Sequence, residues 1–236
     1  MTTDHESCTY RPAGEASALA PPHRPGGRGA GRRGRNGQMM GGTSAPGWMT
    51  RGTLPGSMMG SSTDMGQVMG KLFANAPGPR VSASDAVNLG NRVPAGATID
   101  RAANRIAFST TRVSFAVLAG PAGGPDETFR VGGLVNPTID VPVGAEVSVQ
   151  LIDADPDTAH GLVVTTSGGA SFPMPMMSAA PAFSGAAVWF LGDPTSVGMH
   201  TAPLSFTAST AGAYTYLCPV PGHAQKDMSG TFMVSS

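Results

Sequence analysis

Residues 214–233 read YTYLCPVPGHAQKDMSGTFM, and their spacing decides the fold. Cys218, His223 and Met228 stand at even intervals, as Cys-x4-His-x4-Met. The flanks, 213–217 and 230–234, are short, apolar and aromatic, the pattern of two strands. Between them Pro219, Pro221 and Gly222 dictate a tight loop with few free backbone donors. A thiolate, an imidazole and a thioether on one rigid loop make a soft donor set. Such donors favour copper, and two histidines, a cysteine and a weak axial methionine form the blue-copper electron-transfer arrangement.

That arrangement needs a second histidine from an earlier strand, because one loop cannot surround a metal. The chain has five histidines. His5 and His23 lie near the N-terminus, which leaves His160 and His200. His160 follows the acidic run 153–158 and opens the strand-like 161–166. His200 sits in a loop-like segment, GDPTSVGMHTAP, and reads as a surface residue. The expected set is therefore His160, Cys218, His223 and Met228.

These residues resemble the cupredoxins and, within them, the rusticyanin and sulfocyanin group. Three stretches carry the resemblance: NPTIDVPVGAEVSVQLI, AHGLVVTT and AGAYTYLCPVPGHAQKDMSGTFMV. With their spacers they cover about residues 104–236. The resemblance implies one type 1 copper per chain, bound by the four residues above. It also implies that His223 reaches the surface through an uncharged patch (Pro221, Gly222 and Ala224). The residue after the first histidine is Gly161, where many cupredoxins carry Asn or Ser. The side-chain hydrogen bond that ties the two ligand loops together in those proteins is thus absent. Pro219 has no N–H to give the sulfur, so a dry site with few donors predicts a fairly high reduction potential.

Composition agrees with an all-β chain. Of 236 residues 33 are Gly and 21 Pro, while only 13% are charged, which favours many turns and short strands over long helices. Strand patterns fall at 105–109, 113–118, 127–131, 138–141, 146–152, 161–166, 187–191, 204–207, 213–217 and 231–234. Such spacing predicts a Greek-key β-sandwich, and the resemblance implies that it is of cupredoxin type and spans 104–236. Upstream, 61–103 reads as a short helical extension and linker. There Asp64 caps a helix whose Met65, Val68, Met69, Leu72 and Phe73 form one apolar face. Ser84 starts a second helical turn. Residues 1–60 are rich in Gly, Pro, Arg and Met and read as a disordered tail. Residues 167–185 read as a long surface loop.

Net charge is zero, with about +4 in residues 1–60 and −4 in the rest, which does not point to nucleic acid. No apolar run is long enough for a transmembrane helix. Arg32 and Arg33 are not followed by the apolar core of an export signal, whereas the resemblance implies an extracytoplasmic protein. The two cysteines, Cys8 and Cys218, are not read as a disulfide, since pairing would consume the thiol of the motif.

The expected function is a monomeric, non-enzymatic electron carrier between redox proteins such as a cytochrome or terminal oxidase. A copper enzyme would need a second metal centre, and Cys218 is flanked by Leu217 and Pro219 rather than by histidines. Copper storage or delivery remains the other class, motivated by Met174, Met176, Met177 and the pairs Met39–Met40 and Met58–Met59. Another alternative is an electron-transfer module of a larger copper oxidase system. Asp153, Asp155 and Asp157 read as a solvated turn. Tyr214 and Tyr216 share one strand face and read as core.

Overall fold

A computed structural model describes residues 62–166 and 179–236, without the side chains of 62–64. The readings of residues 1–60, of Cys8, His5 and His23, and of the Met174–Met177 region fall outside the described residues.

Thirteen strands form two stacked sheets among the described residues. The first sheet orders β1 (Arg80–Val81), β11 (Met199–Ala208), β8 (Ala145–Asp153), β4 (Arg112–Ala119), β5 (Phe129–Val131) and β6 (Leu134–Val135). The second orders β10 (Ala187–Leu191), β9 (His160–Thr165), β12 (Gly212–Leu217), β13 (Ser229–Ser235), β7 (Thr138–Pro142), β3 (Arg105–Phe108) and β2 (Ala97–Asp100). Most neighbours are antiparallel, but β4 runs parallel to β8, and β7 runs parallel to both β3 and β13.

Alternation explains which faces meet. In β8, Val147, Val149 and Leu151 point inward while Glu146 and Ser148 face solvent. Toward its Asp153 end the strand becomes buried on both sides, because helix α2 (Ala83–Asn91) covers the outer face there. Ala86 of α2 packs with Leu118, Ile152 and Ala154. The N-cap of α2 is Ser82, whose oxygen accepts from Asp85 N at 3.1 Å; Ser84 lies inside the helix. Between the sheets Phe183 stacks on Phe206, and Phe129 lies 5.7 Å from Tyr216 between ring centres. Tyr214 and Tyr216 are both core, with hydroxyls donating to the carbonyls of Thr210 and Pro137.

The segment expected to be linker also contributes to the sheets: β1 pairs with β11, and β2 pairs with β3.

Helix α1 (Ser62–Phe73) forms where its apolar stripe predicts, but that stripe is not the buried face. Met65, Val68 and Leu72 are 43%, 49% and 72% exposed. The buried positions are Gly66 and Gly70, with Met69 half-buried against the core. A Cβ on Gly66 would sit 2.3 Å from Thr158 Oγ1, and one on Gly70 would sit 1.7 Å from Asp193 Oδ1. Only glycine lets the helix backbone come this close. The carbonyls of Gly66 and Gly70 then accept from Ala159 N (3.1 Å) and Asp193 N (3.0 Å).

Candidate metal centre

At one end of the sandwich, β9 and β12 lie side by side, with Leu217 opposite Val163. This register brings His160, at the start of β9, beside Cys218, just past the end of β12. The loop after Cys218 is closed by its own backbone. His223 N donates to Val220 O, Met228 N to His223 O, and Cys218 N to Met228 O, at 3.1–3.2 Å. Gly222 (φ 92°) and Asp227 (φ 67°) take the left-handed turns, with a short 3-10 turn, Ala224–Lys226, between them.

His160, Cys218 and His223 converge, with one donor atom from each lying within 4.8 Å of the others. Cys218 Sγ is 3.8 Å from His160 Nδ1 and 3.5 Å from His223 Nδ1, and the two Nδ1 atoms are 3.1 Å apart. All three residues and Met228 have no solvent exposure. Met228 is tied to Cys218 and to His223 by the backbone bonds above. Burial pushes the Cys218 thiol up to about 12, against the opposing pull of N–H groups from Gly161 and Val220. Burial, reinforced by His160 and Lys226, pulls His223 down to about 3. His223 is therefore neutral, and the Nδ1 atoms of His160 and His223 turn toward each other and toward a sulfur in a dry pocket. The donor set fits a soft or borderline cation that would satisfy all three atoms at once.

The sulfur is not short of donors. Gly161 N donates to it at 3.4 Å, and Val220 N joins it. The sequence correctly excludes Pro219 as a donor and misses these two. Gly161 itself has a steric reason. A Cβ there would stand 2.2 Å from the carbonyl oxygen of Trp189 on β10.

His160 is held by carboxylates that the sequence does not single out. Asp153, fully buried, accepts from His160 N (3.0 Å) and from Asp155 N (3.2 Å). Burial raises its carboxyl well above the usual range. Asp155 Oδ2 is 3.0 Å from His160 Nε2. Burial works to raise Asp155, but hydrogen bonds centred on His160 and Asp157 outweigh it and hold the carboxyl below its ordinary value. The run 153–157 is thus a scaffold that holds His160 rather than a solvated turn. Alternating Asp residues just before a histidine, each able to accept from a backbone N–H two residues on, are the signal for it.

The implied surface patch is not exposed. Pro221, Gly222, His223 and Ala224 are all buried. Helix α1 closes over the outer edge of His223, whose Nε2 lies 3.0 Å from where a Gly66 Cβ would be. That nitrogen, Thr158 Oγ1 and Asp193 Oδ1 are buried without hydrogen-bond partners among the described residues. His200 stands apart from the cluster. It is buried, and its Nε2 is 2.9 Å from Ala74 O, so it anchors the segment after α1 instead of facing solvent.

Two stacked sheets with a buried His–Cys–His cluster at one end define a cupredoxin. No protein-family model matches the chain. It is 30% identical over 129 residues to a rusticyanin of Acidithiobacillus ferrooxidans, covering 55% of this chain and 80% of that protein. A rusticyanin of Acidithiobacillus ferridurans is 29% identical over 139 residues, and there the chain spans 66% of the relative's length. Among solved structures, reduced rusticyanin is 26% identical with a TM-score of 0.56, covering 66% of this chain and 99% of that one. Rusticyanin from Thiobacillus ferrooxidans superposes equally well (TM-score 0.56) at 24% identity, covering 66% of this chain and 96% of that one. The chain belongs to the rusticyanin group of the cupredoxins.

Proposed function

We propose that this chain is a one-electron carrier in which His160, Cys218 and His223, with Met228 as a further weak donor, would hold a single type 1 copper. The observation that carries this reading is the convergence of two imidazole Nδ1 atoms and one thiol sulfur in a pocket without solvent exposure. Bound there, copper supplies reversible cycling between Cu(II) and Cu(I).

The chain's own residues do the rest. Asp155 accepts the Nε2 proton of His160, which fixes the tautomer and leaves Nδ1 free to face the centre. Cys218 must lose its proton to serve as a ligand, and a thiol near 12 gives it up only as a metal arrives. The N–H groups of Gly161 and Val220 then steady the sulfur charge. The paired strands β9 and β12 and the self-bonded loop keep the donors from moving when the charge changes. Rigidity of this kind serves one-electron transfer, and the role proposed is that of a carrier rather than a catalyst. An extracytoplasmic location and monomeric carriage to other redox proteins complete the proposal.

The test is titration of purified protein with Cu(II), followed by visible absorption, beside Cys218→Ser. The expected outcome is an intense blue sulfur-to-copper band that saturates at one equivalent and is missing in the variant. A protein that takes up several equivalents without colour, equally well in Cys218→Ser, would instead indicate storage or delivery.

A further inference from the structure

The two histidines of the centre communicate with the surface differently. His223 is sealed by α1. His160 ends on Asp155, whose side chain is 13% exposed and lines a cavity of about 520 Å³. The cavity lies between two loops, residues 120–127 and 155–158, and is bordered by Gln67 of α1. Its walls carry four carboxylates, Asp126, Glu127, Asp155 and Asp157, against one ammonium, Lys226. Arg130 also approaches the first loop, at Gly124.

The cleft is not internally neutralised. Lys226 Nζ engages Glu127 Oε1 at 2.5 Å, but Glu127 Oε2 has no partner among the described residues although the side chain is only 8% exposed. Asp126 and Asp157 are exposed at the rim. A buried carboxylate oxygen without a donor, beneath a rim of negative charge, calls for a ligand that brings cationic N–H groups.

We propose that this acidic cleft is the docking site for a basic surface on the protein's redox partner, which inserts a lysine or arginine side chain beside Asp155. The inference rests on the carrier reading above and names the side from which a partner approaches: past His160 and Asp155, rather than across the covered edge of His223. Charge complementarity of this kind acts mainly on encounter and orientation, so it should be strongly weakened by salt.

The test uses the full-length, metal-free, isotope-labelled protein and amide NMR. Hexaamminechromium(III), an inert trivalent paramagnetic cation, should broaden the amides of residues 120–127 and 155–158 first. Hexacyanochromate(III), the anionic counterpart, should not. Asp126→Asn with Asp157→Asn should weaken the cationic effect severalfold, as should salt of about 0.5 M. A basic c-type cytochrome should then shift the same amides. Broadening centred elsewhere, or equal broadening by the anion, overturns the proposal. So does a cytochrome that shifts nothing while the small cation binds, since that would leave only a small-cation site. The blue band of copper-titrated wild type tests the carrier reading separately, so failure of either idea is visible without the other.

Discussion

His160 and His223 face each other across 3.1 Å, yet the protein holds them in opposite ways. His160 is set by polar contacts. Asp153 grips its backbone and Asp155 its ring, and beyond Asp155 lies an open acidic cleft. His223 is set by its loop backbone and sealed by the glycine face of a helix, with no hydrogen-bond partner among the described residues for its outer nitrogen. The difference teaches that one site can be dry on one side and electrostatically connected on the other. The dry side keeps water from the cluster, and the polar side orients His160 and meets solvent.

The contrast can be broken most forcefully at Gly161, on the His160 side. Gly161→Ser places a Cβ 2.2 Å from the Trp189 carbonyl, a backbone atom that cannot rotate away. Strand β10 must move, and the Gly161 N–H to sulfur contact goes with it. Denaturant unfolding of the metal-free protein should show a loss of about 3 kcal/mol, at the upper end of overpacking costs. A variant as stable as wild type would mean that β9 and β10 are not this close. On the His223 side, Gly66→Leu should wedge α1 away from Thr158 and Val220 at a cost of about 1–3 kcal/mol. Because α1 is a cap on the sandwich, the loss should be local. Hydrogen exchange should quicken in Ser62–Phe73 while β8, β11 and β12 stay protected. Uniform loosening of the sheets would make α1 part of the core instead.

How much of this was legible in the sequence follows from the same contrast. The sandwich was readable because its strands alternate or run apolar between Gly and Pro turns. β2, with a half-exposed alternation at a sheet edge, and the two-residue β1 and β6 were too short or too polar to announce themselves. The converging residues were readable where spacing is rigid, as in the Cys218–Met228 loop. What covers and orients them was not. The α1 stripe misleads because hydrophobic periodicity assumes that the apolar face is the buried one. Here close backbone approach selects Gly66 and Gly70, and the i, i+4 glycine pair was the signal. Asp155 escaped notice because three acids in a turn ordinarily face water. Burial beside His160 depends on the approach of Gly120, just past β4, where a Cβ would stand 2.8 Å from His160 Nε2, and no local pattern carries that.

A finer test of the polar side is Asp155→Ala. Without the carboxylate, His160 Nε2 loses its partner, at a cost of about 1–2 kcal/mol in the metal-free protein. Nitrogen NMR of the imidazole should then report a mixture of tautomers where wild type shows one, with the Nε2 proton. An unchanged tautomer would show that Asp155 does not orient the ring.

The smallest effect tests the seal through its pH dependence. Asp193 lies under α1, and burial, helped by the charge of Asp155, raises its carboxyl to about 6. A raised acid binds its proton more tightly in the folded state than in the unfolded chain, where it titrates near 4. Between about pH 4 and 6 the folded form therefore holds more protons than the unfolded form, and this group's contribution to stability falls as pH rises. Below about pH 4 both states are protonated, and the contribution is at its most favourable. Asp193→Asn keeps the shape and removes the titration. The variant should gain about 1 kcal/mol relative to wild type at pH 7 and nothing at pH 4. The check is denaturant unfolding of both metal-free proteins across that range, read as their difference, so that other titrating groups cancel. A gain independent of pH would locate the effect in packing under α1, and a loss at pH 7 would mean that the carboxylate is paired there.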